Sequence, residues 1–144
     1  MCIAIEQDGK VIRWDDESPR LPVLRKDGSV EWIAWGMPVG MVSHKAPAGG
    51  WASLESIRSG KWKRYGARPA KVAADRFALL DGADAEHWTD LAPGLAIQGA
   101  LIATDNRIQT ATAGAQILRV YIVTEQSGAL TPGQLEKMPR IIKL

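Results

Sequence analysis

The sequence predicts an α+β protein in a single compact domain, mostly antiparallel β-sheet with one or two short helices. Three observations carry this. Short runs rich in Val, Ile, Leu and Trp alternate with Gly-containing turn signals. No segment sustains a long 3.6-residue apolar period, which an amphipathic helix needs. The length of 144 residues and the hydrophobic content of 46% fit one folded domain spanning residues 1–144.

The elements follow in order. Residues 3–14 read as a hairpin, with Ile3, Ala4, Ile5 and then Val11, Ile12 flanking the turn signal Asp8-Gly9. A second hairpin joins residues 21–24 to residues 30–35 through Asp27-Gly28. In its second strand Trp32 and Trp35 point to opposite faces. Residues 38–50, rich in Pro and Gly, read as loop. Residues 52–59 read as a short helix stopped by Gly60. Residues 71–80 read as one strand, and residues 95–103 and 118–124 are the clearest strands, rich in β-branched residues. Residues 107–112 suit an edge strand, residues 132–137 a helical turn, and residues 141–144 a final strand.

Composition narrows the function. No apolar run is long enough for a membrane span, and no basic-then-apolar leader opens the chain. No membrane partner is therefore expected, and a reducing cytoplasm is the expected home. Cys2 is the only cysteine, so an internal disulfide and a cysteine-based metal site are excluded. His44 and His87 stand apart, so neither a metal nor a histidine catalyst is expected. No cofactor loop of the Walker or Rossmann kind is present, and no cofactor is expected. Ser53, Ser56 and Ser59 have no histidine nearby in sequence for a hydrolase triad.

Cys2 follows the initiator methionine. Removal of Met1 would give it a free α-amine beside its thiol. That 1,2-aminothiol reacts with aldehydes: the amine forms a Schiff base and the thiol closes a thiazolidine ring. An α-amine with a reference pKa of about 7.7–8.0 has a useful neutral fraction at physiological pH. The plain alternative is a chance cysteine after the start.

Several segments resemble, in order, the SRAP family (SOS-response-associated peptidase), whose members capture abasic sites in single-stranded DNA. They are Met1-Cys2-Ile3-Ala4, Trp35-Gly36-Met37-Pro38, Trp51-Ala52-Ser53-Leu54-Glu55, Ala73 to Leu80, Val123-Thr124-Glu125 and Leu135-Glu136-Lys137-Met138-Pro139. The resemblance implies a barrel-like sheet, a role in the DNA damage response and a covalent protein–DNA linkage through Cys2. It also marks departures. The family's assisting Asn, Glu and His are matched by Trp51, Leu79 and Leu135, none of which moves a proton. Two phosphate-holding arginines are matched by Ala4 and Ser53, while Lys137 keeps a positive charge without the bidentate geometry of arginine. Glu55, Glu125 or Asp75 would have to supply any acid in the Cys2 pocket, whose other candidate members are Trp51, Leu79 and Leu135.

Charge distribution adds a second signal. From Arg58 to Arg76 seven basic residues face one acid, although the whole chain carries only +2. Within it, Arg58, Lys61, Trp62, Lys63, Arg64 and Tyr65 interleave cations with aromatics, the combination that single-stranded nucleic acid needs. The alternative is a solvated face with Trp62 and Tyr65 packed inward. Trp51 suits either filling of a vacated catalytic pocket or stacking on a base. Asp15, Asp16 and Glu17 read as a solvated turn.

Three functions follow as expectations. The first is an SRAP-like protein that binds abasic single-stranded DNA and captures it through Cys2. The second is a catalytically inactive module on the same fold that binds single-stranded DNA or protein. The third is a phage-related protein that binds only another protein.

Overall fold

A closed five-stranded barrel organises the chain, and a smaller sheet packs against it. The structure is a computed structural model and describes residues 2–38, 46–81, 83–105, 116–126 and 137–144. The expected strand at 107–112 and the turn at 132–136, with Leu135, lie outside the described residues, as does His44.

The small sheet holds β1 (Cys2–Gln7), β2 (Lys10–Arg13), β7 (Arg76–Leu80) and β8 (Glu86–Asp90) in the order β2-β1-β7-β8. The barrel is built from β3 (Arg20–Leu24), β4 (Val30–Trp35), β6 (Arg68–Val72), β9 (Leu95–Asp105) and β10 (Gln116–Gln126). Its strands pair in the order β10-β4-β3-β6-β9, and β9 pairs with β10 to close the ring. Three short strands decorate it: β5 (Trp51–Ser53) and β11 (Lys137–Pro139) on β10, and β12 (Ile141–Lys143) on β9.

Both expected hairpins are present, and Asp8 and Gly9 take the positive φ values of 51° and 78° that their turn requires. The α+β class holds, with a single α-helix, α1 (Leu54–Arg58), among the described residues. Ser53 caps it, its side chain accepting from Ser56 N at 3.1 Å. Gly60, at φ 87°, stands just beyond its end.

Two expectations need correction. Residues 71–80 form two strands in different sheets. The chain turns at 73–75, where Asp75 N donates to Glu6 O (2.7 Å) and the Asp75 carboxylate accepts from Asp8 N (2.9 Å). Asp75 and Arg76 break the apolar run at this corner, and the apolar stretches on either side, Val72 and Phe77 to Leu79, feed the shared core. Residues 52 and 53, assigned to the helix start, instead join Trp51 in pairing in parallel with β10, Ile122 opposite Trp51 and Thr124 opposite Ser53. β4 pairs with β10 in parallel as well, so the barrel is mixed rather than purely antiparallel.

β10 explains the strongest apolar run. Val120 and Ile122 point into the barrel core with Leu21, Val23, Trp35, Val72 and Ile97, which is continuous with Cys2, Ile5, Phe77 and Leu79 of the small sheet. Tyr121 and Val123 face a second core with Ala52, Trp62 and Ile102, over which Leu54 and Ile57 of α1 pack. A strand buried on both faces has no solvent side to alternate toward. The chain leaves β4 at Gly36, whose φ of 57° and contact with the Gly49–Gly50 backbone leave no room for a Cβ. Met37 and Gly49 then exchange backbone hydrogen bonds of 2.9 and 2.8 Å, which closes the excursion and delivers Trp51 to β10.

Candidate nucleic-acid interface and the Cys2 region

Cys2 and two of its matched neighbours do meet. Leu79 is the cross-strand partner of Cys2, and Trp51 Nε1 donates to Cys2 O at 2.7 Å. The positions are brought together, but with residues that fill space. Trp51 stacks at 5.0 Å from Trp14 and 6.1 Å from Trp35, both tilted or edge-on. Of the two roles open to Trp51, the geometry is that of pocket filling.

The thiol corrects the nucleophile expectation. Cys2 is 0% exposed, lies in the core shared by both sheets, and its S–H donates to Ala4 O at 3.6 Å. Burial pushes its pKa from an ordinary 9.0 up to about 12. A reactive cysteine needs an exposed, electropositive setting that lowers its pKa; this one has the reverse. Of the proposed acids, Glu55 and Glu125 line a groove to which Cys2 does not contribute, and Asp75 is held at the first hairpin turn.

Two measurable consequences follow from that burial. The native thiol is expected to resist a soluble thiol reagent and to react at the rate of global unfolding. Alkaline pH is also expected to destabilise the protein through Cys2. The unfolded thiol ionises above about 9 and the folded one only near 12, so the unfolded state binds fewer protons between those values. Stability then falls by roughly 1 kcal/mol per pH unit across that window. Urea titrations at pH 8 to 11 check this, with Cys2→Ala losing less stability than wild type as pH rises.

The basic run lies on the outside. Arg58 ends α1, Lys63 and Arg64 sit in the 3-10 turn 63–65, and Arg68 and Lys71 belong to β6. With Lys61 they are six exposed cations, and no acid interrupts the sequence between Arg58 and Lys71. Among the described residues none of the six makes an ion pair. Cations elsewhere do: Arg13 with Glu86, Arg25 with Glu31, and Arg76 with Glu6 and Asp90. Arg68 and Lys71, three apart on β6 and so on opposite faces of that strand, lie beyond the segment that interleaves aromatics; their signal was the charge count.

For the aromatic half of that pattern the structure takes the inward-packed alternative. Trp62 is 8% exposed, packs edge-on 4.9 Å from Tyr121, and donates Nε1 to Ser56 Oγ at 2.9 Å. It is a wall of the second core and has no free face for a base. Tyr65 is half-buried against Trp62 at 5.8 Å, with the Arg64 guanidinium 5.2 Å from its ring centre.

A groove of about 460 Å³ opens beside Arg58, between α1 and the end of β10. Ser53, Glu55, Arg58, Thr124, Glu125 and Lys137 contribute to its lining. Lys137 belongs to β11, held opposite Gln126 by the β10–β11 ladder. The groove therefore gathers Glu55, Glu125, Lys137 and Arg58, four residues picked out from sequence. Thr124 and Gln126 were not; their place depends on the β5–β10–β11 junction, which no local pattern announces.

Other charged groups have structural roles. Asp81 accepts from Ala83 N and Ala85 N at 2.8 and 3.0 Å and meets His87 Nε2 at 2.6 Å. Those hydrogen bonds, the one from His87 foremost, hold its carboxyl down at about 2. Asp15, Asp16 and Glu17 are exposed, as expected. Among the described residues no three His, Cys, Asp or Glu side chains gather as metal ligands, and no helix is long and apolar enough to cross a membrane.

Comparison with known proteins supports the fold alone. A crystal structure of a protein from Bordetella bronchiseptica, a structural-genomics target, superposes with a TM-score of 0.55 at 16% identity. The match covers 85% of this chain and 66% of that one, so this chain spans just under two thirds of that protein's length. No protein-family model matches the chain, and no curated protein does.

Proposed function

We propose that this protein binds single-stranded nucleic acid non-covalently, holding phosphates along the ridge Arg58, Lys61, Lys63, Arg64, Arg68 and Lys71. The observation that carries the reading is the set of six exposed cations without an acidic partner among the described residues. Unpaired surface cations keep their charge available to an anion, and six of them within 14 residues of chain suit a polyanion better than a single phosphate.

The domain is then an SRAP-like fold that has lost covalent capture. Support comes from the small β-barrel domain and from Trp51 and Leu79, both of which meet Cys2 at positions matched to assisting residues. An apolar plug around a buried thiol stabilises the fold and, among the described residues, brings no acid or base side chain into contact with the thiol. Lys137, at a matched phosphate position, lies in the groove beside Arg58.

Fluorescence anisotropy with a labelled single-stranded oligonucleotide tests the reading. Binding is expected at low salt and is expected to weaken linearly in log K against log salt, the mark of counterion release. Absence of binding at low ionic strength would remove it.

A further inference from the structure

We infer that the groove between α1 and the end of β10 receives an unpaired nucleobase, and that Glu55 and Glu125 favour bases carrying an exocyclic amino group, cytosine over thymine. The inference rests on the nucleic-acid reading above and concerns what the groove does once a strand lies on the ridge.

Charge separates the two regions. The ridge is purely cationic, whereas the groove sets two carboxylates, Glu55 and Glu125, beside Arg58 and Lys137. Among the described residues none of these four is ion-paired with another. A groove with equal numbers of both signs does not attract a phosphate as the ridge does. It suits a group that offers hydrogen-bond donors, flanked by anions. A nucleotide in a strand is such a group: a base edge between two phosphates.

Geometry orders the parts. Arg58 ends α1 and belongs to both the ridge and the groove, so a backbone tracking the ridge reaches the groove mouth there. Lys137 supplies a second cation to the same groove from β11. The volume of about 460 Å³ falls in the range of small-ligand sites. No aromatic side chain is among the lining residues, so a base would be held there by its hydrogen-bonding edge rather than by stacking.

Chemistry then sets the preference. A carboxylate only accepts hydrogen bonds. It accepts from the amino group of cytosine and repels the carbonyl oxygen at the same place on thymine. Glu125 sits on a strand fixed in register, opposite Met138, and Glu55 sits in the first turn of α1, so both acceptors project from regular elements.

Anisotropy with oligo-dC and oligo-dT of equal length, at pH 8 and one salt concentration, tests this. Wild type is expected to bind oligo-dC about tenfold more tightly. The double variant Glu55→Gln with Glu125→Gln is expected to bring the two affinities together, since an amide offers a donor as well as acceptors. Both positions are exposed, and circular dichroism checks that the variant is folded. Equal binding of the two oligonucleotides by wild type, or a preference that survives the double variant, overturns the inference and leaves the ridge reading standing. Binding of neither oligonucleotide removes both.

Discussion

Trp35→Ala is expected to cost about 3–5 kcal/mol, the usual range for emptying a buried tryptophan site. Natural domains hold only about 5–15 kcal/mol in total, so the variant should unfold at much lower urea or not fold at all. Trp35 is 2% exposed and reaches across the barrel core to the small sheet. Its ring sits edge-on to Trp14 at 5.5 Å, and its Nε1 donates to Gly50 O at 2.9 Å. The site cannot easily collapse. Gly50 is pressed so close that a Cβ there would stand 2.7 Å from Trp35 Nε1 and 2.8 Å from Trp14 Cζ3. Loss of the ring leaves a cavity, one fewer hydrogen bond on Gly50 O, which keeps Ile122 N at 2.9 Å, and an unsupported Trp51. Urea denaturation followed by circular dichroism reads the effect. Trp32→Ala is the internal control, because that ring is 36% exposed on the opposite face.

Replacing Lys61, Lys63, Arg64 and Arg68 together by alanine is expected to weaken single-strand binding more than about tenfold at low salt. The more diagnostic change is in slope. Each phosphate neutralised contributes about 0.7 to the slope of log K against log salt for a single strand, so removal of four cations should flatten it by about 3. The fold should survive, since all four side chains are exposed and only Arg64 lies over an aromatic ring, that of Tyr65. An exposed cation–π pair of that kind is worth about 0.5–1 kcal/mol. A variant that stays folded and keeps the wild-type slope would show that phosphates do not lie on this ridge.

How far the sequence revealed these features depends on how local their causes are. The two hairpins were legible because turn chemistry and alternation lie within a few residues. Strands β9 and β10 were legible from β-branched content. β8 was not: Glu86-His87-Trp88-Thr89-Asp90 is polar on both faces, and it is a strand because it hangs on β7, with Glu86 and Asp90 reaching Arg13 and Arg76. β5 and β11 have three residues each, and β10 gives them their form. The corner at 73–75 was missed because it carries no Gly or Pro; its one signal was the charged pair Asp75-Arg76 between two apolar stretches.

The same division holds for the site. The excess of cations was plain in the sequence and remains on the surface. Which way the aromatics among them face stayed open because Trp62 is ordered by Tyr121, a residue 59 positions away on another strand. The burial of Cys2 was hidden for a similar reason. Its reactivity was argued from its place in the chain, whereas its environment is set by pairing with β7 and packing against the barrel. A motif position says which atoms are present; burial decides whether they react.

One measurement tests the proposed absence of covalent capture most directly. Wild-type protein is incubated with a fluorescent single strand containing one abasic site, then challenged first with high salt and then with denaturant on a gel. The expected result is a complex at low salt that salt dissolves completely, with no labelled band at the protein's position after denaturation. A labelled band that persists through both, with a matching gain in protein mass, would contradict it and return Cys2 to the centre of the chemistry.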